Sequence, residues 1–307
     1  MRYALVALAG MSNRIVEIPK SRYDATVEAK AALLECLFIE EKFDLVIEDY
    51  LELEMTLLQC ALGYLAAPLL DNQRANTDRA LFNRRLVNLI SGAGTYANQV
   101  RDRHVPRVLP EAGVAAIKAA FSKEYDDRVG YRAMVALRNH AHHFDAPVHL
   151  VTYPSRRVER QSGDVVAFTV NPCLQPEDLR RNPKFKRSVL RELEALGQSI
   201  DLKPLIRQYV EGLWVVHAQI RELVAPRILE WEAILKLAKS TFLAGGNDER
   251  SAFFLAAATL TEDDTCGTSV SLPTQFNEYR RFLESKNARL NNLAVRYVTN
   301  ETANGEP

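Results

Sequence analysis

The chain has 307 residues, nearly half of them hydrophobic, which is enough for a sizeable core in one elaborated domain or two modest ones. Thirty-nine Lys and Arg balance thirty-nine Asp and Glu, so the molecule as a whole is no electrostatic magnet for nucleic acid or anionic membrane, and any such contact has to come from a local patch. Four widely spaced cysteines (Cys36, Cys60, Cys173, Cys266) show no C-x-x-C pairing and read as reduced thiols of a soluble, cytoplasmic protein; no run approaches the ~18–20 apolar residues of a membrane span.

The apolar start, Tyr3 to Ala9, is short for a secretory signal and reads better as a buried strand, with a strand pair expected near 3–8 and 14–18. Asp44 can cap a helix to about Ala67, with Ile47, Leu51, Leu58, Leu62 and Leu65 mostly on one stripe and Pro68 as its stop. Residues 71–78 read as a polar loop. A helix follows over 78–103, with Phe82, Leu86, Leu89, Ala93, Ala97 and Val100 spaced by threes and fours. Its outer face carries Arg79, Arg84, Arg85, Arg101 and Arg103. Gly92 and Gly94 weaken this helix in its middle and permit close packing against a neighbour.

Pro106 and Pro110 mark a loop before a helix over 111–123. A further helix, 126–144, places Met134, Leu137, Ala141 and Phe144 on a buried stripe and ends at Asp145-Ala146-Pro147. The expected fold class is therefore mainly α: an antiparallel helical bundle, with a β-hairpin insertion and a helical C-terminal extension. The hairpin pairs 148–153 with 165–170 around the turn-forming Gln161-Ser162-Gly163-Asp164. A basic run, 180–187, leads into a helix ending near Gly197. A long helix starts at Pro204 and is kinked or broken at Pro226. Two last helices, 249–260 and 274–296, precede a tail at 300–307. The division expected is a bundle over 1–147 and an extension over 148–307 to which the sequence assigns no role.

Titratable side chains concentrate in one place. Four of the six histidines, His140, His142, His143 and His149, lie within ten residues, with Arg138 and Asn139 just ahead of them. Histidine exchanges protons near neutrality and arginine is a permanent planar cation suited to phosphate, so the group is equipped to cleave a phosphodiester. At ~100° per residue, Asn139 and His143 stand opposite the buried stripe, Arg138 and His142 form a row between, and His140 flanks the core. Arg138 and His143 are not stacked on an ideal helix and would meet around a shared groove.

Arg138-Asn139-x-x-x-His143, late in an all-helical bundle, resembles the R-N-x-x-x-H signature of HEPN-domain ribonucleases. Phe82-Asn83-Arg84-Arg85-Leu86 resembles the polar-faced helix that precedes it in that family. The resemblance covers roughly residues 40–147. It implies a metal-independent endoribonuclease that needs no cofactor and cuts RNA through attack of the 2′-hydroxyl. His143 would be the acid–base, Arg138 the charge stabiliser and Asn139 the orienting group, with Arg79, Arg84 and Arg85 on the RNA. From the residues themselves, His142 is an accessory candidate for a phosphate contact, and His140, also an accessory candidate, reads first as a packed, hydrogen-bonded histidine at the core edge. It also implies a homodimer with facing motif helices, a regulatory or antitoxin partner, and a role in antiviral defence or toxin systems. The tyrosine that one toxin subclass carries just after the histidine is absent here: Phe144 and Asp145 stand in its place.

Other readings compete. The motif face can be a solvated or hydrogen-bonded bundle face, in a catalytically silent protein that binds RNA or a partner. The cluster can also hold a metal, with His140 and His143 three apart, although only Asp145 offers a nearby carboxylate. His217 reads as core. His104, among Arg101, Arg103 and Arg107, reads equally as RNA-facing or as part of a solvated loop. The run 180–187 is either an RNA contact or a charged helix start. No P-loop, dinucleotide-binding, G-x-S-x-G or zinc-finger spacing occurs.

Overall fold

The computed structural model describes residues 1–8, 14–67, 72–159 and 164–298. Pro68, Asp71, the turn residues 161–163 and the tail 300–307 lie outside them. The protein is mainly helical with small antiparallel sheets, and it divides into two compact units that interleave along the chain. One takes residues 1–42, 100–115 and 219–288, the other 43–99, 116–218 and 289–307, so neither unit ends at residue 147.

In the first unit, strands β1 (Arg2–Ala7) and β2 (Val16–Glu17) pair antiparallel, as expected. The rest of the sheet is a correction. Residues 249–260 form only one helical turn, Glu249–Ala252, before a strand, here β8 (Leu255–Leu260), which pairs along its whole length with β1; β9 (Cys266–Ser271) closes the order β2-β1-β8-β9. The alanine-rich Leu255-Ala256-Ala257-Ala258 has helical propensity, but pairing with β1 buries it completely enough to override that preference. The final helix is also shorter than expected, Phe276–Lys286.

Helix α1 (Lys20–Ala66) begins well before Asp44, because Lys20 to Leu62 contains neither Gly nor Pro and is rich in Ala, Leu, Glu and Lys. It contributes residues 20–42 to the first unit and the remainder to the second. In the first unit His104 lies neither on an exposed, RNA-facing surface nor in a solvated loop. It lies buried in a π-helical turn, Val100–His104, with Nδ1 2.6 Å from Glu35, which also pairs with Arg107.

After the single turn α3 (Val105–Val108) of the first unit, the second unit holds most of α4 (Glu111–Asp127), α5 (Val129–His143), the short α6 (Pro176–Arg180) and α7 (Arg187–Leu196) and the early part of α8 (Leu202–Ala244), together with the later part of α1 and α2 (Asn72–Gln99). α2 includes residues 72–78, expected as loop. Pro226 lies inside α8 without ending it. The hairpin is nested differently from the expectation: β3 (Leu150–Thr152) pairs with β6 (Asn171–Leu174), β4 (Ser155–Val158) with β5 (Val165–Phe168), and β6 also pairs with β7 (Ile200–Asp201). His217 is core as expected, fully buried, stacked on Phe43 at 3.9 Å and 2.9 Å from the Tyr96 hydroxyl.

The apolar stripe expected on α1 is divided between a buried and an exposed face. Ile47 is buried with Tyr50, Leu53 and Leu57, whereas Leu51, Leu58, Leu62 and Leu65 are exposed by 40–66%, together with Met55. Their spacing of 4, 3, 4 and 3 is that of a coiled-coil seam. The rows beside it carry Glu52, paired with Arg85, and Glu54, paired with Arg207 at 2.7 and 2.8 Å.

Candidate functional site: the α2–α5 face

α5 buries Gly130, Tyr131, Ala133, Met134, Ala136, Leu137 and His140, the spacing of one helical face. Asn139, His142 and His143 are exposed on the other side. Phe144 departs from the expected stripe. It is the residue after the last helical turn, with φ −141° and ψ −74°, so it leaves the helical path and is 48% exposed. Its ring lies 5.3 Å from that of His140.

His140 is a packed histidine. Asn182 Nδ2 donates to its Nδ1 at 3.1 Å, which leaves the proton of the neutral ring on Nε2, and Phe185 meets it edge-on at 5.9 Å. Burial first, and then the neighbouring His149, lower its pKa below the ordinary value, against Asp145. His149 is lowered in the same direction by burial, although Asp178 and Asp145 oppose this; its Nδ1 accepts from the Gln175 N–H at 3.0 Å. Asn182 and Phe185 belong to the basic run 180–187, so that run packs on α5. Three of its five cations are engaged too: Arg180 with Glu194, Arg181 with Asp178 and Lys186 with the Tyr125 hydroxyl.

His142 faces α2, with Nε2 2.8 Å from Ser91 Oγ. His143 makes no hydrogen bond or ion pair among the described residues; its nearest aromatic neighbour is the His142 ring at 6.3 Å.

Arg138 turns toward α2. Its guanidinium lies against Gly94, where an added Cβ would come within 2.6 Å of both Cζ and Nε. It is half-buried and forms no hydrogen bond or ion pair among the described residues, and Nε is fully buried without a partner. Its charge also opposes the burial that raises the Tyr209 phenol pKa. No hydrogen bond links Arg138 to His143.

α2 supplies the rest of the face. Arg84 is exposed and carries no ion pair among the described residues, whereas Arg85 is tied to Glu52 and Arg79 Nη1 reaches the His149 carbonyl at 3.5 Å. Asn83 donates to the Val148 carbonyl at 2.9 Å and accepts its N–H at 2.7 Å, so one side-chain amide fixes the path of the chain leaving α5. Sequence reasoning missed Asn83, Ser91 and Asn182. Asn83 and Asn182 lie in segments the sequence singles out for their arginines, and Ser91 is a small polar residue on the helix face that also carries Arg84, Asn88 and Thr95.

Among the described residues no group of three His, Cys, Asp or Glu side chains is placed to hold a metal ion. Cys36, Cys60 and Cys173 are buried, and burial pushes the Cys36 and Cys60 thiols up to about 12, far from thiolate chemistry. What the face offers is an open imidazole, an amide beside it, and an arginine whose donors have no protein partner. Compared with protein-family models, curated proteins and solved structures, the chain matches none.

Proposed function

We propose that the chain is a HEPN-type, metal-independent endoribonuclease. The observation that carries this reading is Arg138, a half-buried guanidinium left without an anion, on the same helix as the exposed Asn139 and His143. A desolvated cation with unfilled donors is costly unless a ligand completes it, and phosphate oxygens match its planar fork. In the proposed step the RNA 2′-oxygen bonds to the adjacent phosphorus and the bond to the 5′-oxygen breaks. His143 handles the proton leaving the 2′-hydroxyl or reaching the departing 5′-oxygen. Arg138 neutralises charge developing on the phosphoryl oxygens, Asn139 orients, and Arg84 holds flanking backbone. A 2′,3′-cyclic phosphate remains.

The exposed α1 seam supports association with protein, and a homodimer is the form proposed. α2 touches both faces in question: Arg85 reaches Glu52 of α1, and Ser91 reaches His142 of α5. A regulatory or antitoxin partner and a role in defence against phage belong to the same proposal by resemblance. Among the described residues no helix is long and apolar enough to cross a membrane. A 2′-deoxy substrate tests the chemistry: it should bind and remain intact, and its cleavage at the rate of RNA would refute the step.

A further inference from the structure

We infer that Gly94 is a positioning residue, and that its missing side chain reserves the place on α2 where the Arg138 guanidinium lies. The inference rests on the reading of Arg138 as the phosphate-binding group. Glycine weakens a helix interior, so one inside a 28-residue helix, more than a turn from its end, calls for a reason. Backbone conformation is not that reason, because Gly94 has no positive φ and any L residue could adopt its geometry. General helix–helix contact is not the reason either. The three atoms nearest to an added Cβ are Cζ, Nε and Nη1 of Arg138, at 2.6–2.7 Å. The neighbouring Gly92 would meet a different group, an Asp49 carboxylate oxygen at 2.9 Å.

The consequence is chemical. Pressed against α2, the guanidinium has Nε shut off from water and unpartnered. The rigid fork is thereby held in one orientation for an incoming anion instead of sampling solvent. Substrate phosphate then meets an arginine already partly desolvated and positioned by a residue outside the R-N-x-x-x-H pattern.

The test compares wild type, Gly94→Ala, Arg138→Ala and the double variant. Alanine favours the helix, so Gly94→Ala should keep or raise Tm while lowering kcat/KM on RNA at least tenfold, mostly in kcat. The double variant should be no less active than Arg138→Ala alone, because the two changes remove one feature. Full activity in Gly94→Ala, or a further loss of the same factor on top of Arg138→Ala, would overturn the inference. If Gly94→Ala lowers Tm, removing Arg138 must restore it; failure to do so means the space is not reserved for Arg138. Should wild type cut no RNA, the functional reading fails separately and the ¹⁵N resonance of Arg138 Nε decides. It should move in Gly94→Ala, and an unmoved resonance would refute the positioning role.

Discussion

His142 of α5 and Ser91 of α2 meet at the protein surface, Nε2 to Oγ at 2.8 Å, and this contact separates the two adjacent histidines of the motif. His142 is held by the neighbouring helix, and His143 stands open to a ligand. His142→Ala should therefore keep more than about a tenth of the activity on RNA, whereas His143→Ala should keep none. Loss of one exposed hydrogen bond costs no more than about 1 kcal/mol, so both variants should melt close to wild type. Equal loss of activity in both would contradict the division of roles.

Stability should follow burial. Leu137 has no exposed surface, and Leu137→Ala should cost ~2–5 kcal/mol in denaturant unfolding. An unfolded His143→Ala would make that residue structural and remove it from the chemistry.

The separation of faces on α5 was legible because helical periodicity alone sets Asn139 and His143 opposite Met134 and Leu137. Periodicity could not place Phe144, since the helix stops one residue earlier than the stripe implies. Nor could it choose the buried face of α1, where Ile47, Tyr50, Leu53 and Leu57 form one apolar row and Leu51, Met55, Leu58, Leu62 and Leu65 another. Both rows satisfy the pattern, and only packing decides between them. Arg138 was singled out by residue type, but its inward turn depends on a glycine 44 positions earlier, a relation no local pattern contains.

Buried His140 and half-buried His149 make the second unit sensitive to acid. Both pKa values are lowered from 6.5 in the fold, so the unfolded chain takes up protons first as pH falls. Their contribution to stability is complete above about 6.5 and is lost as pH drops below it toward the folded values. Tm should fall between pH 7.5 and 5.5, and His140→Gln should shrink that fall. An unchanged pH dependence in the variant would remove His140 from the account.

Assembly can be tested by mixing. Arg138 and His143 are not joined within one chain, so a centre that takes each from a different protomer should be restored in heterodimers of Arg138→Ala with His143→Ala. No recovery despite proven subunit exchange would refute the shared centre. Leu58→Asp, in the middle of the exposed seam, should leave the fold intact and shift the sedimenting species toward monomer. An unaltered dimer would take the seam out of the interface.

Metal-independent cleavage is tested by RNA digestion with wild type and His143→Ala side by side in EDTA, with analysis of the product ends. Wild type should cut and leave a 2′,3′-cyclic phosphate or its hydrolysed 3′-phosphate, and the variant should be silent. A strict need for a divalent ion, 5′-phosphate ends, or undiminished cleavage by His143→Ala would contradict this expectation.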